Sequence, residues 1–245
     1  MSGAELLPIG FIDAFGNAID FIFSKQPAVG ERGVEVGGLG QIGDLTLEHL
    51  KVSGLAMALA LALALPAGLW LGHRGSGEGL AVAIGNAGRA IPELALIAFF
   101  VAIIGVGLLN VTIALAILGI PPILTNTFVA IRQVDPGAVS AARGMGMSEL
   151  GIIGRVELPL AVPTVFSGIR TGAINIVATA TIAPLAGVLT LGDFILARNV
   201  YGDSGVLAGA ICVALLALVI EFSLAGAQRL LTPRGIRLQA RAAAA

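Results

Sequence analysis

From Thr46 onward the chain alternates long apolar runs with short polar breaks, and the runs have membrane length. Val52 to Gly72 carries no charge, and none occurs between Glu93 and Arg132. A helix rises ~1.5 Å per residue, so about 20 apolar residues cover a hydrocarbon layer of ~30 Å. The pattern predicts five spans, at about 46–72, 80–104, 109–131, 158–183 and 205–231. Gly105-Val106-Gly107 and Asn110 place a turn between the second and third. Ahead of the spans, Phe11, Phe15, Ile19 and Phe23 recur at helical spacing, with Asp13 and Asp20 elsewhere on the wheel. The apolar stretch, Ile9 to Phe23, is short for a span and is expected to lie at the interface as an amphipathic helix; a sixth span is the alternative. Gln26 to Gly43 reads as a polar, glycine-rich linker. These boundaries give an N-terminal segment 1–45, a membrane domain 46–237 and a tail 238–245.

The pattern is broken between the third and fourth spans by VDPGAVSAARGMGMSELGIIGRVELPLAVP, Val134 to Pro163. Asp135-Pro136 is a helix start: the carboxylate accepts from the first free N–H groups and proline fits the first turn. Ala138, Ala141, Ala142, Met145, Met147 and Leu150 give a small, apolar surface at helical spacing. Gly144, Gly146, Gly151 and Gly154 interrupt it, which predicts two short helices with a bend. Leu158-Pro159 and Pro163 mark the return to apolar sequence. Small side chains on an exposed helix let another surface come close, so 134–157 has the character of a docking knob.

Composition agrees with the pattern. Apolar residues make up 57% and charged residues 12% of the chain, where a soluble domain has about 25% charged. Mean hydropathy is +0.97. The class is all-α and polytopic in the membrane. A net charge of −1 argues against a nucleic-acid partner, which needs a basic face. Cys212 is alone and lies in an apolar run, so it reads as packing. Lys25 is followed by Gln26 and Lys51 by Val52, so neither lysine fits a P-loop, and no nucleophile or metal-ligand pattern occurs. His49 and His73 are isolated and read as hydrogen-bonded surface groups at membrane ends; Trp70 reads as an interface anchor.

Polar residues inside spans are the other candidates. Pro92 should kink the second span, where Arg89 and Glu93 lie one turn apart and either pair or leave Glu93 on a solute path. Gly168 and Gly172 make a close-packing step, and Asn175, Thr179 and Thr181 put polar groups on the same helix. Glu221 is ionisable within the fifth span, so it is either buried against a partner or lines a path.

The loop resembles the "EAA" coupling loop of ABC-importer permeases. Ser140-Ala141-Ala142 takes the E-A-A place, Gly146 the glycine, and Val156-Glu157-Leu158-Pro159 the closing motif. The flanking ARGMGMSE, VELPLAVP, GIRTGAINI and LTPRG are similar to the osmoprotectant branch, over roughly residues 45–237. The resemblance implies a five-span type I importer permease core in a prokaryotic inner or plasma membrane. It implies a separate ATPase docked at Asp135, Ser140, Ala141, Ala142, Arg143, Gly146, Leu158 and Pro159, with Ser140 standing where the family has glutamate. It further implies a second permease chain and an extracytoplasmic solute-binding protein. ATP and Mg would be used by the ATPase, with no cofactor bound here. Glu93, Asn126, Asn175, Thr179 and Glu221 are the candidate path residues. The solute would be glycine betaine, choline, carnitine or a similar zwitterion, or in a neighbouring branch an amino-acid derivative. Quaternary amines sit in aromatic cages, and with one Trp and one Tyr the chain points to selectivity in the binding protein. A cytoplasmic loop and C-terminus place Arg74, Arg132, Arg143, Arg155 and the tail arginines inside, as the positive-inside rule asks. An ion-coupled secondary transporter carrying charge on Glu93 and Glu221 is the alternative class; it would be expected to show repeated halves.

Overall fold

The computed structural model describes residues 10–233 and Gly235. An N-terminal helix α1 (Phe11–Phe23) leads into a short antiparallel hairpin, β1 (Lys25–Pro27) and β2 (Glu35–Gly37), in register Gln26 opposite Val36. Then come α2 (Gly38–Arg74), α3 (Glu78–Ala90), α4 (Glu93–Ile104) and α5 (Leu108–Arg132). The loop region holds α6 (Pro136–Gly144), α7 (Glu149–Ile152) and a π-helical turn (Ile153–Glu157). It feeds α8 (Leu158–Thr179), a 3-10 stretch (Ala180–Ala186), α9 (Gly192–Leu196) and α10 (Arg198–Leu231), which is kinked at Gly202.

Among the described residues four helical stretches are long and apolar enough to cross a membrane: α2, α5, Glu149–Ala186 and α10. The stretch expected as a single kinked span, 80–104, is two helices meeting at 92°. Proline disfavours the helical region for the residue before it, and both Ile91 and Pro92 are extended, with ψ of 120° and 119°. Counted as one span, the bent pair makes a fifth.

α5 is the hub, and glycine seams bring its neighbours to it. A Cβ at Gly68 or Gly72 of α2 would lie 2.7 Å from the Cβ of Thr127 or Ile131. One at Gly85 of α3 would lie 2.9 Å from Thr125, and one at Gly168 of α8 2.6 Å from both Asn126 Cβ and the Pro122 carbonyl. Backbones approach this closely only where a side chain is missing, and the gain is van der Waals contact, the main attraction between helices in lipid. Val111, Ala114, Leu115 and Ile123 of α5 are fully buried in the cluster that results.

The stretch read as a linker, 26–43, folds differently. It forms the hairpin and the first turn of α2, which begins at Gly38 and not near Thr46. Pairing to α10 supplies what the sequence there lacks: the Val29 N–H donates to the Val200 carbonyl at 2.9 Å. Phe21 packs edge-to-face on Phe194 with centroids 5.4 Å apart, and Phe194 on Tyr201 at 4.8 Å. The Tyr201 hydroxyl donates to Asp193 at 2.8 Å. The N-terminal segment is thereby built into the membrane domain. Among the described side chains of α1, Ala18 and Phe21 are buried, while Phe15, Ile19 and Phe23 of its apolar stripe stay exposed. At 13 residues α1 is ~20 Å long, well short of the hydrocarbon layer.

Candidate functional site

The loop between α5 and α8 is a compact two-helix unit. Asp135 caps α6, its carboxylate accepting from the Gly137 N–H at 2.8 Å, and Pro136 occupies the first turn. Ser148 caps α7 in the same way, accepting from Gly151 at 3.2 Å. Between them the chain turns at Gly146, whose φ of +80° is the left-handed region where a side chain is strained. Arg143 closes the unit, donating through Nε and Nη2 to Glu149 at 3.1 and 2.9 Å. The hydrogen bond from Arg143 holds the Glu149 carboxyl below the usual carboxylate range. Glu149 therefore contributes its stabilisation above that range and loses it only as pH falls below, so the unit keeps this bond at neutral pH.

The eight residues implied for ATPase docking are not equivalent. Ser140, Ala141, Arg143, Gly146 and the capping Asp135 are exposed. Ala142 is not: only 1% of it is accessible, and it packs inward. Leu158 and Pro159 are half-buried in the first turn of α8, where they start the membrane helix. The exposed apolar side chains of the unit are instead Met145 and Leu150, 76% and 74% accessible. They follow the small residues of α6 in sequence, one at its C-cap and one in α7.

Asn126 and Asn175 come together, on a cleft of about 450 Å³ between α3, α5 and α8. Consecutive prolines, Pro121 and Pro122, interrupt α5 there. The Asn126 amide donates to the Pro122 carbonyl at 2.8 Å and the Thr125 hydroxyl to the Pro121 carbonyl at 2.6 Å. Glycines Gly85 and Gly88 form the opposite wall, and no charged or aromatic side chain lines the cleft among the described residues. Of the other candidates, Glu93 is exposed in the first turn of α4, and Thr179 is buried with no hydrogen-bond partner for its hydroxyl among the described residues. Neither lines the cleft. The Arg89 side chain lies outside the described residues, and with it the expected pairing to Glu93.

Glu221 does not line the cleft either; it accepts from the Arg170 guanidinium of α8. Arg170 also donates to Gln228 at 3.1 Å, and Gln228 donates to the Pro163 carbonyl at 3.3 Å. Arg170 escaped the sequence reading, although one signal was present: a second charge of opposite sign inside an apolar run. The histidines also differ from expectation. His49 is fully buried, with Nε2 3.0 Å from the Val177 carbonyl. His73 is bound to two carboxylates, Glu157 and Glu149, at 2.8 Å each.

The family described as the binding-protein-dependent transport system inner membrane component matches residues 60–236. The chain belongs to this family. It is a multi-pass membrane component of such a transport system. Curated relatives include the choline transport system permease protein OpuBB of Bacillus subtilis, 37% identical over 193 residues, covering 78% of this chain and 89% of that protein. The carnitine transport permease protein OpuCB of Listeria monocytogenes is 39% identical, covering 78% of this chain and 88% of that one. The osmoprotectant import permease protein OsmW of Salmonella typhimurium is 32% identical, covering 81% and 95%. Among solved structures, an inward-facing MetNI methionine ABC transporter chain superposes with a TM-score of 0.67 at 22% identity, over 80% of this permease and 98% of that chain. The membrane architecture of ABC importer permeases is thus shared.

Proposed function

We propose that this permease carries quaternary-ammonium or betaine-type osmoprotectants across the membrane, driven by a separate ATPase docked on the α6–α7 unit. The observation that carries the reading is that unit: a capped, cross-tied pair of helices whose exposed face is small and apolar. Relatives named for choline, carnitine and osmoprotectant transport support the solute class. ATP and Mg are used by the ATPase, an extracytoplasmic binding protein delivers solute, and a second permease chain completes the path. The cleft at Asn126 and Asn175 is the half of that path this chain supplies. It offers amide and hydroxyl groups but neither carboxylate nor aromatic cage, so discrimination rests on the binding protein. Glu221, held by Arg170, is not the free carrier that the ion-coupled alternative requires.

Reconstitution of the permease with its ATPase and binding protein in vesicles tests the reading. ATP-dependent uptake of labelled choline, carnitine or glycine betaine is expected, lost when the binding protein is omitted. Uptake that persists without ATP but follows an ion gradient overturns it.

The loop and C-terminus are cytoplasmic and the hairpin extracytoplasmic. Single cysteines at exposed Ser140 and Arg32, in a Cys212→Ser background, are expected to react from opposite sides. α2, the α3–α4 pair and α5 separate them, an odd number of crossings if the bent pair spans. Labelling of both from one side means that α3–α4 re-enters and that this topology is wrong.

A further inference from the structure

His73 is the next-to-last residue of α2, and its side chain is 5% accessible. Nδ1 lies 2.8 Å from Glu157 of the π-helical turn and Nε2 2.8 Å from Glu149 of α7. Each ring nitrogen thus faces a carboxylate oxygen, an opposed pair of contacts that a hydroxyl cannot reproduce. Glu149 also takes both bonds from Arg143. One imidazole therefore ties the end of α2 to α7, through α7 to α6, and to the base of α8.

The setting makes this tie more than decoration of a helix end. The docking unit is continuous in sequence with α5 on one side and α8 on the other, so both feel any displacement of it. α2 is separated from it by more than fifty residues; it packs along α5, and His73 gives it a direct contact with the unit. Glu157 has only 4% of its side chain accessible, so without His73 it is a buried charge that has lost its hydrogen bond. It sits in a π turn, a local widening of the helix that recurs at functional sites. One residue before His73, Gly72 seats α2 against Ile131 at the end of α5. The three long helices thus converge on the docking unit, two by covalent connection and one by this ring.

We propose that His73 is a positioning residue that makes α2 move with the docking unit, so that closure of the ATPase is passed to α2 as well as to α5 and α8. This rests on the reading that the unit docks an ATPase. Loss of the tie leaves hydrolysis running while less of it moves solute.

The double variant H73L/E157Q tests this, because it removes the tie without stranding a buried charge. In reconstituted complexes the number of solute molecules taken up per ATP hydrolysed is expected to fall severalfold while hydrolysis continues. A purely structural role would reduce the yield of assembled complex and leave that ratio unchanged. An assembled complex with the wild-type ratio overturns the inference. Should the double variant not assemble, Glu149→Ala carries the same test, since its side chain is half exposed and its loss strands no buried carboxylate, read against Arg143→Ala, which loses the same α6–α7 bond and keeps the tie. Again a lowered ratio supports the tie and an unchanged one overturns it. Ala141→Asp run beside them separates the readings: if it too leaves uptake intact, docking itself has failed; if it abolishes uptake while the His73 and Glu149 variants couple normally, only this inference has.

Discussion

Uptake is expected to fall to background when Ala141 is replaced by aspartate, with the permease itself still folded. Ala141 is exposed on α6 beside Ser140, so the new carboxylate costs the free permease little. Against a docked surface shaped for small residues it is a desolvated charge without a partner. Stranding a buried charge costs roughly 3–5 kcal/mol, or about 10²–10⁴ in affinity. The ATPase should no longer co-purify, and vesicle uptake should vanish with it. The neighbouring position would give a muddier answer. Ala142 faces inward, so Ala142→Asp breaks the α6–α7 unit before any partner is met. Gly146→Trp also abolishes uptake, through bulk and through ~1–2 kcal/mol of strain at its left-handed φ. An Ala141→Asp permease that still co-purifies with the ATPase and transports normally would show that the unit is not the docking site.

The second large effect is expected at Arg170. Its guanidinium on α8 and Glu221 on α10 neutralise each other between helices that otherwise present apolar side chains. Arg170→Ala leaves the carboxylate unpaired, at about 2.5–3.5 kcal/mol on insertion scales if it sits near the bilayer centre and less toward the interface. Gln228 loses a bond in the same step. Assembly and the thermal unfolding midpoint in detergent should both drop sharply. Glu221→Gln should be milder, because the amide still accepts from Arg170. The exchanged pair Arg170→Glu with Glu221→Arg should recover part of the loss, and among complexes that survive the preference between choline and uncharged solutes should not move. Single variants as stable as wild type, or a change in solute preference alone, would mean that the pair does not hold α8 to α10 and that Glu221 meets the solute.

How far the sequence reached can be traced residue by residue. The long helices were legible because an uncharged run of membrane length has few alternative fates. The start of α6 was legible because Asp135-Pro136 is a local device whose partner, the Gly137 N–H, is two residues away. The bend at Gly146 was legible because few other residues tolerate its φ. What escaped depends on distant partners. Arg170 and Glu221 are 51 residues apart and His73 and Glu157 are 84 apart, so neither pair leaves a periodic trace. The hairpin escaped because its strands have three residues each and draw their stability from α10. Ala142 was misjudged for a subtler reason: in a run of small residues the pattern gives the spacing of a face but not which side of the helix is covered.

The glycine seams of α5 also bear on how this protein can change over generations. Gly68, Gly72, Gly85 and Gly168 each leave room for a hydrogen and nothing larger, and all of them press on one helix. A methyl gained at any of these positions shifts α5 against every neighbour at once, since the same helix forms each boundary. Relief cannot come from the neighbouring helix, which already offers no side chain to trim. It has to come from α5, and only at Gly85 is the nearest atom the end of a side chain, the Thr125 hydroxyl, that a shorter residue would remove; at Gly168 the Pro122 carbonyl stays in the way. Thr125 also lines the cleft, so an inherited repair of the packing there rewrites the cleft's wall.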